Sequence, residues 1–531
     1  MKEELAGKNI IHYDVNRIKG FSTLELMIAF AILCIVLVGA VESNFAAKYW
    51  VINSQTANEG LYKAKTGIED LRADAKEDFY KAISSPLAKS VDIKDPADAS
   101  CIAGGLCYYV QKTVTDISSC SKYIEADVKW QVPNYPETST KLFTYLTNSP
   151  EIIARGGDCI LGEPSGDWTN SPQKGGQGSP GKIFTGIDVL HNKIYTTSST
   201  SPYFTIYEAP ATPNLNPIQL SPSTDIVKVI SASVSLNAID VEEDLSSGRT
   251  YAFVSVNATS KQLAVIDVTD SANPMVVAQR DLANVDPLGS SPQGWRMYIY
   301  GGRLYIITKE TGTAPNGKEL HIFDISNPIR PTEVANYELG RTINDFVVRD
   351  QKIGNINHRL MFLAEHGGSI PYDSQLKILD VTNDIVTPLS ASNLNCQEGM
   401  SLSLLGNNLY FGCYANASDA ELYVFNISTW NGSLPSIISP VSYRGEVGAS
   451  VTKIEAIGKY LFIGTNKSGQ ELQAWNSDYT TWTGSTNVGR YSSYSLSNLV
   501  PLGFDIDSNS IYTIGADISP VNNNLNIIYK P

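Results

Sequence analysis

The chain contains 531 residues, 42% hydrophobic and 18% charged, so it is long enough for two or three domains and too apolar to be disordered throughout. Its 54 acidic and 40 basic residues give a formal charge of -14, which argues against electrostatic binding of nucleic acid or an anionic membrane surface. The sequence contains neither histidines at a helical metal-site spacing nor a Cys-x-x-Cys pair, and it predicts no metal and no cofactor.

The first element is an unbroken apolar run over residues 26–41, LMIAFAILCIVLVGAV. With the residues just before it, the run reaches the roughly 20 residues that a bilayer requires. Arg17 and Lys19 precede the run and Glu42 follows it, so the positive-inside rule places residues 1–20 in the cytoplasm. The sequence therefore predicts a single-pass protein of the inner (cytoplasmic) membrane, most of which is exported.

The residues before the apolar run carry a processing motif. A secretory signal peptide has its small-residue cleavage site after the apolar core, whereas here Gly20 comes before it. Residues 19–25, KGFSTLE, closely resemble the type IV prepilin signal. The resemblance implies a leader over 1–20, cleavage by prepilin peptidase after Gly20, methylation of Phe21 as the new amino terminus, and a span that doubles as a filament core helix.

Glu25 supports this interpretation on physical grounds. A carboxylate inside an apolar span costs about 2.5 to 3.5 kcal/mol on insertion scales unless it is partnered. After cleavage, the α-amino group of the same chain or of a neighbouring subunit could pair with Glu25, which assigns it to filament assembly. The alternative is an ordinary membrane anchor in which Glu25 lies among the lipid headgroups.

The apolar run continues into a second helical pattern, so that residues 21–86 are predicted as one transmembrane and amphipathic helix. Its apolar stripe recurs at three- and four-residue steps, and Pro86 ends it. The stripe comprises Leu61, Ala64, Ile68, Leu71, Ala75, Phe79 and Ala82. A small β domain is predicted over 87–161, with strands at 107–114, 123–132 and 141–146. A long helix on a small antiparallel sheet resembles the α+β fold of minor pilins and pseudopilins.

Six of the seven cysteines lie outside the apolar run, which contains Cys34. An even number in an exported region predicts disulfide bonds. Proximity in the sequence favours the pairs Cys101 with Cys107, Cys120 with Cys159, and Cys396 with Cys413.

Residues 162–182 are rich in glycine, proline and serine, and they are predicted to form a flexible linker without a packed element. From 183 to 531 the same pattern of strands returns with a period of about 50 residues. Seven runs rich in aromatic and β-branched residues begin at Lys193, Thr250, Leu304, Leu360, Leu409, Leu461 and Ile511. Four strands per repeat predict an all-β propeller with seven blades. The last copy has only three strands, so its outermost strand should come from residues 148–182.

Four third strands end in an equivalent polar residue, namely Asp267, Asp324, Asp380 and Asn426. A side chain that bonds the local backbone in a turn explains this recurrence better than catalysis does. The pattern D-[VI]-[ST], followed by proline in the first two copies, resembles the LVIVD-type β-propeller repeat.

The sequence contains no familiar catalytic motif and predicts that the chain is not an enzyme. His366 is interpreted as a turn residue rather than a base. The acidic residues Asp240, Glu242, Glu243 and Asp244 are interpreted as a solvated loop rather than a calcium site.

The leading hypothesis is a minor type IV pilin or pilin-like subunit that displays an extracellular propeller, at the filament tip, for adhesion or partner binding. Its expected partners are other pilin subunits, the assembly machinery, prepilin peptidase and an extracellular protein or carbohydrate. After assembly the protein would be located in the extracellular pilus or on the cell surface. The alternatives are a membrane-anchored propeller enzyme of the envelope and a pseudopilin of a type II secretion or DNA-uptake system.

Overall fold

The structure is a computed structural model, and its description covers the following ranges and single positions. They are 22–77, 99–101, 107–118, 121–131, 137–148, 167–170, 172–178, 182–213, 215–221, 235–244, 246–258, 260–282, 294–308, 318–353, 356–366, 374–392, 394, 396–414, 421–427, 444–445, 447–479, 482, 489–497, 499–507, 510–517 and 525–530. The predicted leader and Phe21 lie outside these residues.

One long helix, α1 (Thr23–Glu77), begins the described chain. Every side chain from Ser22 to Ile52 is exposed, and most of them are apolar. This segment, which we call the bare half of α1, contains the only helix window among the described residues that is long and apolar enough to cross a membrane.

Four strands follow in an antiparallel sheet of order β1-β2-β3-β4. They are β1 (Ala99–Cys101), β2 (Cys107–Ser118), β3 (Ser121–Trp130) and β4 (Thr138–Thr147). The three strands predicted in this region are therefore present. Alternate residues of β3 are buried, and they include the predicted apolar face from Ile124 to Trp130.

The second half of α1 buries a stripe that differs in part from the predicted one. Ala64, Ile68 and Leu71 are buried as expected, whereas Leu61 is 46% exposed and Gly60 is buried in its place. A Cβ atom on Gly60 would lie 2.6 Å from the Trp130 ring. Because the indole fills the space beside the helix axis, the stripe contains a glycine where the periodicity predicts leucine.

Seven further antiparallel sheets of four strands are present among the described residues. We number them by the order of their first strands. Sheet 1 contains β6 (Phe184–Leu190), β7 (Lys193–Ser198), β8 (Phe204–Glu208) and β9 (Ile218–Gln219). Sheet 2 contains β10 (Ser235–Asp244), β11 (Arg249–Asn257), β12 (Leu263–Asp267) and β13 (Met275–Arg280). Sheet 3 contains β14 (Gly294–Tyr300), β15 (Arg303–Thr308), β16 (Leu320–Asp324) and β17 (Thr332–Tyr337).

The remaining sheets have the same plan. Sheet 4 contains β18 (Ile343–Ile353), β19 (Ile356–Glu365), β20 (Leu376–Asp380) and β21 (Thr387–Ser392). Sheet 5 contains β22 (Glu398–Leu405), β23 (Asn408–Tyr414), β24 (Leu422–Asn426) and β25 (Arg444–Gly445). Sheet 6 contains β26 (Val451–Ile457), β27 (Tyr460–Thr465), β28 (Leu472–Asn476) and β29 (Arg490–Tyr494). Sheet 7 contains β30 (Leu499–Ile506), β31 (Ser510–Asp517), β32 (Leu525–Tyr529) and β5 (Gln173–Gly178).

Each first strand contacts the first strand of the next sheet, and β30 of sheet 7 contacts β6 of sheet 1. Apolar side chains of neighbouring sheets pack face to face, as in the cluster that joins Phe204 and Ile206 of sheet 1 to Val241 and Val254 of sheet 2. This cyclic arrangement is a propeller-like all-β domain.

The domain is closed by β5, which pairs antiparallel with β32 near the end of the chain. The prediction that the outermost strand comes from residues 148–182 is confirmed. The predicted flexible linker over 162–182 is wrong for the residues that the structure describes there, because β5 is a sheet strand and Trp168 is completely buried. The propeller-like domain therefore begins before residue 183.

Gly175 and Gly176 show why a glycine-rich segment forms a packed strand here. A Cβ atom at either position would lie 1.9 Å from a backbone oxygen of the connection between β8 and β9, that of Pro213 for Gly175 and that of Leu215 for Gly176. The Gly176 N–H donates to the Pro213 oxygen at 3.0 Å. The glycines permit close backbone packing here, and flexibility is not their role.

Candidate functional site

The first hairpin of every sheet contains a register shift near the start of its first strand. Such β-bulges re-aim the side chain that follows them. The residues directly after the shifts are Gly186, Ala238, Arg296, Asp345, Ser401, Lys453 and Gly503. Polar and charged side chains at this level of the ring therefore come from sheets 3 to 6.

Three of these side chains meet inside the ring. Lys453 Nζ lies 3.1 Å from Asp345 Oδ2, and Ser401 Oγ donates to the same oxygen at 2.7 Å. Because sheet 5 separates the sheets of Asp345 and Lys453, this ion pair can form only on the inner side of the first strands. The contact identifies the inner wall of the ring.

Arg296 lies beside this group. Its Nε donates to the backbone carbonyl oxygen of Asn344 at 2.7 Å, and its guanidinium carbon lies 4.9 Å from the centre of the Trp295 ring. Burial lowers the pKa of Arg296, and the carboxylate of Asp345 offsets this only in part.

Asn344 joins Arg296 to a second pair of titratable groups. Its Nδ2 donates to Glu398 Oε1 at 2.8 Å and to the Gly399 oxygen at 2.7 Å. His366 Nδ1 forms a short contact with the same oxygen of Glu398. We call Arg296, Asn344, Asp345, His366, Glu398, Ser401 and Lys453 the inner cluster.

His366 was predicted to be a turn residue. It directly follows β19, and its backbone N–H donates to the Thr342 oxygen at 2.9 Å. Its imidazole also pairs with Glu398, which the sequence did not predict because 32 residues separate the two. The structure therefore assigns His366 a side-chain partner in the inner cluster.

The four acidic residues predicted to form a solvated loop lie instead on strand β10, which ends at Asp244. Asp240 accepts the Ile299 N–H at 2.7 Å, and Asp244 accepts the hydroxyls of two serines in the following turn. Burial, with a smaller contribution from Asp244, raises the pKa of Glu242 to about 7. Glu243 lies 3.5 Å from the His191 ring. Among the described residues, no three His, Cys, Asp or Glu side chains are placed to hold a metal ion.

Asp240 belongs to a group of inner carboxylates that join neighbouring sheets. Each accepts a hydrogen bond from a backbone N–H in the first strand of the next sheet along the ring. The pairs are Asp505 with Val189, Asp188 with Val241, and Asp240 with Ile299. Burial raises the pKa of Asp505, the member at the junction of the last and first sheets. These carboxylates stabilise the ring.

The recurring residues at the ends of the third strands form turns, as predicted for the three aspartates. Asp267, Asp324 and Asp380 each accept the N–H of the residue two positions later, at 2.9 to 3.0 Å. Each also pairs with a basic side chain at the start of the second strand, as Arg303 does with Asp324 at 3.0 Å. The N–H bond is the local backbone interaction that the D-[VI]-[ST] pattern indicates.

A second recurring position, not predicted from the sequence, lies at the start of the third strands. A buried glutamate or glutamine directly precedes five of the third strands, and its side-chain oxygen accepts a backbone N–H after the fourth strand. These residues are Gln262, Glu319, Gln375, Glu421 and Glu471. The signal is visible in the sequence as [QE]-L, in which the leucine is the first residue of the third strand. It ties the end of one sheet to the connection that leads to the next.

Replacing Glu319 by alanine is expected to lower the free energy of unfolding by about 2 kcal/mol, because the buried N–H group of Leu339 loses its acceptor, as does the N–H of the exposed Gly340. Glutamine keeps that oxygen and should be tolerated, as Gln262 and Gln375 are at the equivalent positions. Denaturant unfolding of the full chain, followed by tryptophan fluorescence, measures both effects.

The Glu319→Gln variant also tests how the stability of the fold depends on pH. Burial raises the pKa of Glu319 from 4.5 to about 7, so the folded chain binds more protons than the unfolded chain between these values. The proton that Glu319 retains in the folded chain stabilises the fold. This stabilisation is complete below about pH 4.5 and is lost as the pH rises to about 7. Glu319→Gln should remove this part of the pH dependence, and an unchanged profile would contradict the assignment.

The predicted processing and cysteine residues are placed only in part. Gly20, Phe21, Cys120 and Cys159 lie outside the described residues. The predicted disulfide between Cys396 and Cys413 is confirmed. Cys107 is disulfide-bonded, and Cys101 is its register partner across β1 and β2.

Glu25 caps the start of α1. Its Oε2 accepts the Ser22 N–H at 3.0 Å, and its own N–H donates to Ser22 Oγ at 3.2 Å. This is a capping box, whose signature Ser-x-x-Glu is present within the prepilin-like motif. Glu25 therefore has a local role at the helix start besides the charge pairing that its place in the apolar span predicts.

A family model of the LVIVD repeat matches residues 298–338, which include most of sheet 3. A search of curated proteins found no match.

Two solved structures resemble the chain at low identity. The computationally designed Ika8 protein matches with a TM-score of 0.37 at 11% identity, over 69% of this chain and 100% of that one. The Neurospora crassa Pan2 WD40 domain matches with a TM-score of 0.38 at 10% identity, over 70% and 98%. The element order and the match to the LVIVD repeat show a long, apolar amino-terminal helix and a propeller-like all-β domain that contains an LVIVD repeat.

Proposed function

We propose that this chain is a pilin-like subunit, anchored through α1, that displays a seven-bladed propeller to an extracellular partner. The observation that carries the proposal is the bare half of α1, in which every side chain from Ser22 to Ile52 is exposed. Such an apolar surface requires a bilayer or the helices of neighbouring subunits. The second half of the same helix buries a stripe, so a single helix serves both environments.

The prepilin-like motif distinguishes filament assembly from simple anchoring. Cleavage after Gly20 would leave Phe21 and Ser22 ahead of α1, and the capping box of Ser22 and Glu25 would remain intact. The carboxylate of Glu25 would then lie close to the new α-amino group, where it can compensate that charge within an apolar environment.

The test is the mass and amino-terminal sequence of the mature chain, produced in cells that contain prepilin peptidase. We expect the mature chain to begin at an N-methylated Phe21 and to be incorporated into filaments. Substitution of Gly20 by valine should block cleavage. The same substitution at Gly39 is the control and should not block it, because that helix position has open space around it. A mature chain that begins at Met1 would overturn the filament proposal.

The proposed position at the filament tip has its own test. A domain of this size on every subunit would crowd a helical filament, so the propeller should be concentrated at one end. Immunogold labelling of the propeller in assembled filaments checks this expectation. Uniform labelling along the shaft would contradict it.

A further inference from the structure

Arg296 is a partly buried cation that forms no hydrogen bond with a carboxylate of the described residues, although Asp345 is near enough to raise its pKa. A guanidinium group has five N–H donors, and cations removed from water are normally paired with an anion. The contacts of Arg296 with the described residues are one hydrogen bond from Nε to the Asn344 oxygen and the contact with the Trp295 ring. Its two terminal nitrogens are therefore available.

The nearest acidic groups are already engaged. Asp345 Oδ2 accepts from Ser401 and from the Leu402 N–H, and Lys453 balances its charge. Glu398 is occupied by His366 and Asn344. Neither carboxylate forms a hydrogen bond with Arg296.

The charges around Arg296 restrict what could bind there. At this level of the ring the two cations Arg296 and Lys453 balance the two carboxylates of Asp345 and Glu398. Sheets 1, 2 and 7 carry a carboxylate two residues after the register shift of their first strands. These residues are Asp188, Asp240 and Asp505. These carboxylates oppose a ligand with several negative charges, but they can accept hydrogen bonds from hydroxyl groups.

We propose that the inner cluster binds a hydroxylated monocarboxylate, such as a uronic acid, whose carboxylate pairs with Arg296. The planar guanidinium can hold a carboxylate through two parallel hydrogen bonds, a geometry that lysine cannot reproduce. The hydroxyl groups of the ligand face the carboxylates and the Asn344 and Ser401 side chains.

This inference supplies a ligand class for the binding role proposed above, and it does not depend on filament assembly. Loss of uronate binding with normal leader cleavage would overturn this inference alone. Failure of leader cleavage with intact uronate binding would overturn the filament proposal alone.

The test is isothermal titration of the full chain in detergent micelles with galacturonate and with galactose, which has the same ring but no carboxylate. We expect saturable binding of galacturonate and none of galactose. Arg296→Gln should weaken galacturonate binding at least tenfold, and Arg296→Lys should give an intermediate affinity. Titration with digalacturonate distinguishes two sources of the ligand. If the ligand is part of a polymer, digalacturonate should bind more tightly than galacturonate, and if it is a free monosaccharide, it should not.

Arg490→Gln is the matched control. Arg490 is also partly buried and donates to a neutral oxygen, that of Gln470 at 2.7 Å, but it lies on β29 outside the inner cluster. Thermal unfolding shows whether each variant folds, and Arg296→Lys keeps the test decisive if Arg296→Gln does not. The proposal is overturned if galacturonate fails to bind the native chain, or if Arg296→Gln and Arg490→Gln bind it equally well.

Discussion

Gly176→Ala is expected to destabilise the propeller-like domain by about 3 kcal/mol, because its new methyl group would lie 1.9 Å from the Leu215 oxygen. Backbone from both sheets would have to separate to accept it. The separation would break the hydrogen bond from the Gly176 N–H to Pro213 and strain the pairing of β5 with β32. The midpoint of denaturant unfolding measures the loss.

Gly503→Ala is the matched control, because Gly503 lies in the same sheet and its Cβ position has contacts of 3.4 Å or more. We expect it to change the stability by less than about 1 kcal/mol. If Gly176→Ala were as stable as Gly503→Ala, residues 173–178 would be the flexible linker that their composition indicates.

Trp168→Ala is expected to cost about 4 kcal/mol, since Trp168 is completely buried. Its indole packs edge-to-face on Phe462 at 5.1 Å between ring centres. Its backbone N–H donates to the Tyr460 hydroxyl at 3.2 Å, and its carbonyl accepts from Ser492 at 2.7 Å. The substitution leaves a cavity between sheets 6 and 7. Thermal unfolding of the full chain provides the measurement.

Trp50→Ala serves as the control for loss of a tryptophan, because Trp50 is 72% exposed in the bare half of α1. It should leave unfolding of the propeller-like domain unchanged. Equal effects of the two substitutions would show that Trp168 does not help to hold the last two sheets together.

Much of the fold could be predicted because its signals are local. Strand β3 alternates between buried and less buried residues, and the second strands of all seven sheets contain the aromatic and β-branched runs that mark the repeats. The turn aspartates bond residues two positions away, so their role is visible in a short pattern. The same locality would have identified the capping box of Ser22 and Glu25.

The candidate site could not be predicted in this way. Arg296, Asp345 and Lys453 belong to three sheets, and only the closed ring brings them together. The equivalent position is glycine or alanine in sheets 1, 2 and 7, so no repeated pattern marks it. His366 and Glu398 are likewise joined only by the packing of neighbouring sheets.

By itself, the sequence determined that the chain carries an apolar helix, a small antiparallel sheet and a series of four-stranded repeats, because periodicity and turn chemistry act over a few residues. The tertiary structure decided how residues 173–178 are used. A glycine-rich segment is compatible with both a free linker and a closely packed strand, and only the approach of Pro213 and Leu215 distinguishes them. It also decided which charged side chains of the described residues meet, because that depends on contacts across the ring.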